Sequence, residues 1–80
     1  MVNANDIKEH MEVKASDGQH VGKVDHMEGT DKIKLTKLDP ANDGPHHHFI
    51  PLAWVDHVDA HVHLSKTSDD VKAHWEHGAN

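Results

Sequence analysis

The chain has 80 residues and a net charge of −6 with its histidines neutral. This length predicts a single domain over residues 1–80, with its core at about 7–76. The sequence has no cysteine, which excludes disulfide bonds and thiolate zinc sites. All 8 basic residues are lysine, and because phosphate and base recognition depend on the arginine fork, this composition argues against nucleic-acid binding. The N-terminal residues resemble neither a signal peptide nor a membrane span, so we expect a cytoplasmic protein that does not bind a membrane.

The first predicted element is a β-hairpin that follows a short capped turn at residues 5–10. Met11, Val13 and Ala15 alternate with polar residues, which indicates a half-buried strand. Residues 16–18 read Ser-Asp-Gly, a combination that is typical of a tight turn.

The second arm of this hairpin, at residues 19–26, does not keep the period of a regular strand. Val21 and Val24 are three positions apart, so both can face the core only if the strand changes phase between them. A β-bulge at Gly22 would produce that change.

The middle of the chain predicts two further strands separated by a loop. Residues 32–38 alternate, with Ile33 and Leu35 inward and lysines outward, where lysine also protects an exposed edge. Residues 39–45 hold two prolines and a glycine and are typical of a loop. Residues 46–50 then read as a strand that stops at Pro51.

The last part of the chain predicts a corner, a strand and a helix. Apolar residues around Trp54 indicate the corner, and residues 61–64 alternate again with Val62 and Leu64 inward. Thr67 begins a capped helix that we expect to continue to Gly78.

These elements predict a mainly β fold: a small β-barrel or a rolled antiparallel sheet of five or six strands, with a short C-terminal helix. The predicted core packs against Trp54 and consists of Val13, Val21, Val24, Ile33, Leu35, Ile50, Leu52, Val62 and Leu64.

Four stretches of the sequence carry a family resemblance. Residues 17–24, DGQHVGKV, resemble the opening hairpin of PRC-barrel domains, the small barrels of the photosynthetic reaction-centre H subunit and of a ribosome-maturation protein. Residues 32–37, 47–55 and 61–64 with the following helix are similar to bacterial domain-of-unknown-function family 2171. The resemblance implies a PRC-barrel-like fold without an established activity. Since PRC-barrel relatives dock on proteins, it favours an interaction role by analogy.

The 11 histidines are the main anomaly of the composition, and protonating all of them changes the net charge from −6 to +5. His61 and His63 share one strand face, and His46 and His48 have the same spacing, with His57 at the corner between the two strands. If the two strands pair, these imidazoles converge on a site that suits zinc, nickel or copper. Alternatively, they are solvent-facing residues, some of them paired with nearby carboxylates.

No catalytic residue is predicted, so we do not expect an enzyme. Cysteine and tyrosine are absent, and the sequence has neither a serine elbow nor a glycine-rich phosphate loop. Apart from zinc at the histidines, no cofactor is expected.

The sequence therefore predicts a small non-catalytic interaction or accessory module whose protein partner it does not identify. The alternative is a histidine-mediated metal-binding or pH-responsive protein. Trp75 has two open interpretations, a plug at the end of the barrel or an interaction surface. A homodimer would compensate for the small core.

Overall fold

A computed structural model describes residues 4–36 and 47–77. In chain order its elements are a 3₁₀ turn (Ala4–Asp6), β1 (Glu12–Lys14), β2 (His20–Glu28), β3 (Lys32–Leu35), β4 (His48–Pro51), a second 3₁₀ turn (Leu52–Trp54), β5 (Val55–Val58), β6 (Val62–Leu64), α1 (Ser68–His74) and β7 (Glu76–His77).

The strands form one sheet in the order β5-β6-β1-β2-β3-β4-β7, so the prediction of a mainly β fold with a short C-terminal helix is confirmed. Among the described strands no pairing joins β5 to β7, the contact that would close a barrel. One core cluster nevertheless collects side chains from strands β1 to β6 and from α1, so these elements share a single core. In addition, β6 runs parallel to β1, while the other described strand pairs are antiparallel, so the sheet is mostly antiparallel.

The first hairpin confirms both its turn and its bulge. Gly18 has a φ of 82° at the turn. Val13 pairs with Gly22 while Lys14 pairs with His20, so Val21 is the extra residue of a bulge. This phase change buries both Val21 and Val24. A Cβ on Gly22 would lie 3.3 Å from Cδ1 of Leu35, so the bulge also brings the β2 backbone close to β3.

The core contains eight of the ten predicted residues. Leu52 and Trp54 are only partly buried, packed against its edge, because the 3₁₀ turn places them at the corner between β4 and β5. Besides Gly22, the buried residues of the described ranges that the predicted core did not include are Ile7, Ala15, His48, Val55, Val71 and Trp75.

The strand limits differ from the predicted ones by a few residues, and two larger differences concern the corner and the helix. The expected corner contains strand β5, which pairs with β6. Thr67 begins the helix as predicted, with its Oγ1 accepting a hydrogen bond from the Asp70 N–H at 3.3 Å. The helix ends at His74 and not at Gly78, since Trp75 becomes extended (φ −67°, ψ 153°) and the next two residues pair with β4.

The predicted 39–45 loop, Leu38, His46 and Gly78 lie outside the described residues. Within the described ranges, no helix is long and apolar enough to cross a membrane.

Candidate metal centre

The β5–β6 hairpin places two predicted ligands, His57 and His63, next to each other. They are partners across the two antiparallel strands, and a bulge between Val55 and His57 shifts the register. Val55 and Val58 therefore pack toward the core while His57 faces outward. The His57 and His63 rings are stacked, with centroids 4.3 Å apart and planes 10° from parallel.

Asp59 lies in the turn of this hairpin and contacts both strands. Its Oδ1 accepts hydrogen bonds from the His61 backbone N–H at 2.9 Å and from Nε2 of His63 at 2.8 Å. Its Oδ2 lies 4.0 Å from Nε2 of His57. The hydrogen bond from the His61 N–H, followed by that from His63, lowers the pKa of Asp59 below its usual value, so the carboxylate is ionised at neutral pH.

His57, Asp59 and His63 each offer a donor atom, and the three atoms lie within 4.8 Å of one another. Imidazole nitrogen and carboxylate oxygen are standard zinc ligands, and three protein ligands leave one position of a tetrahedral ion open. Two donors around such an ion are about 3.4 Å apart when each bond is about 2.0–2.1 Å. A bound ion would therefore replace the shorter His63–Asp59 hydrogen bond.

The surroundings of this cluster leave it accessible from solvent. The side chains of His57 and Asp59 are 57% and 59% exposed. An open cleft of about 540 Å³ adjoins the two rings, and Lys14 and Asp56 contribute to its walls. An ion or a fourth ligand can approach without any rearrangement of the core.

His61 follows the same turn but faces another carboxylate. Its ring is edge-on to His63 at 6.1 Å, and its Nδ1 lies 3.5 Å from Oε1 of Glu12 on β1. The other oxygen of Glu12 accepts a hydrogen bond from Nδ1 of His20 at 2.8 Å, and this bond lowers the pKa of Glu12. The predicted histidine face thus contains two carboxylate-centred groups.

His48 does not join the patch. Its side chain is buried, with 1% exposure, and its ring stacks on Trp75 with centroids 3.9 Å apart. Strands β3, β2 and β1 lie between β4 and β6 in the sheet, so the strand pairing that would bring His48 to His63 does not occur. His46, the fifth predicted ligand, lies outside the described residues.

The two tryptophans have different environments. Trp75 is 7% exposed and forms an interior contact, as the plug interpretation expects, so little of its ring is available to a partner. Trp54 is half-buried, and Nζ of Lys66 lies 5.4 Å from the centre of its ring.

Sequence reasoning did not identify the two carboxylates as members of the site. A local sequence pattern could have identified Asp59, because an Asp two residues before His61 can accept a hydrogen bond from the His61 backbone N–H in an Asx-turn. No local pattern identifies Glu12, since its contact with His61 depends on the parallel pairing of β1 with β6.

A family model described as an uncharacterized protein conserved in bacteria (DUF2171) matches residues 7–72. No curated protein and no solved structure matches the chain.

Proposed function

The chain belongs to the DUF2171 family of uncharacterized bacterial proteins, and from that premise we propose that it binds a divalent transition-metal ion of the zinc class through His57, Asp59 and His63. The observation that carries this proposal is the approach of their three donor atoms to within 4.8 Å. Two imidazoles and one carboxylate match the ligand preference of zinc, with nickel and copper as chemical competitors.

The charges around the cluster support a cation as its occupant. Asp59 is ionised, Asp56 lies 3.1 Å from Nδ1 of His57, and the chain carries a net charge of −6. Lys14, which is in register with His63 on the neighbouring strand, adds a positive charge that partly offsets the negative charge of these carboxylates. A divalent ion is attracted to this patch more strongly than a monovalent one.

The role we propose is binding and not catalysis. His57 and Asp59 lie at an open surface, whereas electrostatic catalysis depends on groups that are fixed in a site from which water is excluded. A small metal-binding accessory protein that offers an open coordination position to a partner is consistent with this geometry.

Zinc titration by calorimetry on the tag-free protein tests the proposal. We expect removal of both imidazoles, His57→Ala with His63→Ala, to lower zinc affinity at least tenfold. The matched control replaces His26 and His74 by alanine. These histidines are also exposed beside carboxylates, at 3.7 Å from Asp25 and 3.1 Å from Asp70, but neither has a second imidazole stacked on it within residues 4–36 and 47–77.

Equal losses in the two double variants would show diffuse binding to surface histidines and would overturn the proposal. A raised melting temperature with zinc, absent from the His57/His63 variant, would support a specific site, because a ligand that binds the folded state stabilises it.

A second cleft, lined by residues of β3, β4 and β7, favours a second candidate function, the interaction module. It has a volume of about 220 Å³, and the half-buried side chains of Phe49, Pro51 and Trp54 line it, beside Lys32 and Glu76. We propose as its occupant an extended partner segment that inserts one apolar side chain, while its charged neighbours contact the exposed ion pair between Lys32 and Glu76, whose Nζ and Oε1 atoms are 2.9 Å apart.

The interaction candidate is tested with a panel of such peptides by tryptophan fluorescence. We expect Trp54 emission to shift on binding and the shift to disappear in Phe49→Ala. If no peptide changes the emission at millimolar concentration, this candidate fails.

A cytoplasmic location and a homodimer are part of the same proposal. Light scattering that shows a monomer at micromolar concentration would contradict the dimer.

A further inference from the structure

A second carboxylate–imidazole pair lies next to the first cluster, across the β1–β6 junction. Val13 and Val62 are partners in the parallel pair, so the residues before them, Glu12 and His61, lie side by side on the outer face. Glu12 is half-buried, with 30% of its side chain exposed.

The Nδ1 atom of His61 is buried and lacks a hydrogen-bond partner among the described residues. Oε1 of Glu12 lies 3.5 Å from it, which is too long for a good hydrogen bond. A buried polar atom without a hydrogen-bond partner is energetically unfavourable, so a ligand bound at Nδ1 of His61 would stabilise the folded protein.

The 3.5 Å separation between these two atoms matches the distance of about 3.4 Å between two ligands of a tetrahedral zinc ion. The carboxylate is also held in position, because its other oxygen accepts the 2.8 Å hydrogen bond from His20. Metal-ligating carboxylates commonly have such an outer hydrogen bond. The low pKa of Glu12 keeps the oxygen that faces His61 ionised.

We propose that Glu12 Oε1 and His61 Nδ1 form a second binding site for a zinc-class divalent ion, with His20 orienting the carboxylate and water completing the coordination. This site uses none of the three ligands of the first cluster. With two protein ligands against three, it binds the ion more weakly and fills after the first site.

The test follows individual imidazole nitrogens by long-range ¹H–¹⁵N NMR while Zn²⁺ is added to the full chain. We expect His57 and His63 to respond first, and Nδ1 of His61 to respond in a second step. Glu12→Gln keeps the size of the side chain but removes its charge, and should weaken the second step at least tenfold without changing the first. Glu9→Gln, an exposed carboxyl near the N-terminus, is the control.

The two proposals fail separately in this experiment. If Nδ1 of His61 does not respond at saturating Zn²⁺, or responds equally in wild type and Glu12→Gln, the second site is overturned. If His61 responds while His57 and His63 do not, the second site stands and the first is refuted. His61→Ala, which removes the ligand itself, must abolish the second step.

Discussion

Strands β4 and β6 each contain one histidine of a sequence pair spaced by two, His48 in β4 and His63 in β6, yet these two side chains face in opposite directions. His63 faces outward, stacks on His57 and contacts Asp59. His48 faces inward and stacks on Trp75 in the core. The same sequence spacing therefore produces a candidate ligand in one strand and a core residue in the other.

The difference follows from the position of the apolar neighbours. In β6 the buried residues Val62 and Leu64 alternate with His63, so His63 must lie on the outer face. In β4 the buried residue is Ile50, two positions from His48, and a period of two puts both on the inner face. The phase relative to a core residue, and not the spacing between histidines, decides which imidazoles can share an ion.

The largest expected effect comes from truncating the two histidines separately. His48→Ala should lower the free energy of unfolding by about 3 kcal/mol, because it removes a buried ring that stacks on Trp75. His63→Ala should change it by less than about 1 kcal/mol, because that ring is at the surface. Urea denaturation with a chelator present measures both values, and similar losses in the two variants would contradict the difference in burial.

A smaller effect is expected at Gly22, where the bulge resets the phase of β2. Gly22→Ala places a Cβ 3.3 Å from Cδ1 of buried Leu35, and should destabilise the fold by about 1 kcal/mol as the core adjusts. Lys23→Ala, at the exposed neighbouring position, is the control. An unchanged urea midpoint for Gly22→Ala would show that the approach of β2 to β3 is not tight.

The smallest effect concerns Asp17, which anchors the helix that leads to Trp75. Its Oδ2 accepts hydrogen bonds from the hydroxyl and the N–H of Ser68 at 2.9 and 3.3 Å. Partial burial raises the pKa of Asp17, but the hydrogen bonds from Ser68 and from the Gln19 N–H outweigh it, so the pKa is lowered.

The sign of the pH dependence follows from that lowered pKa. A carboxyl with a lower pKa in the folded state stabilises the protein above its unfolded pKa of about 3.9, and this contribution is lost as the pH falls through the folded pKa. Asp17→Asn should therefore lower the melting temperature at pH 7 and have a diminishing effect below pH ~4. A difference between wild type and variant that stays constant from pH 7 to pH 3 would refute this linkage.

Local patterns were sufficient to predict much of the fold. Alternation identified β1, β3 and β6, the three-residue spacing of Val21 and Val24 identified the bulge, and Thr67 marked the helix start. The end of the helix was not predictable locally, because Trp75 leaves the helix to stack on His48, a contact between distant parts of the chain. The burial of His48 could have been predicted, because Ile50, two positions away in the same strand, was already assigned to the core.

The candidate metal centre was predictable only in part, for the same physical reason. His57 and His63 meet through a short hairpin, and their proximity follows from neighbouring sequence. Glu12 reaches His61 only through the pairing of two strands from opposite ends of the chain. Spacing between histidines carries no information about such a carboxylate.

The parallel β1–β6 pair also affects the order in which the two groups can assemble. Val13 and Val62 are partners about 50 residues apart in sequence, so their pairing must close a long loop, which is entropically unfavourable and slow. The hairpin that holds His57, Asp59 and His63 requires no such closure and forms on a microsecond timescale. A metal ion could therefore bind to His57, Asp59 and His63 while the rest of the chain is still folding. The Glu12–His61 site, in contrast, forms only after β1 and β6 have paired.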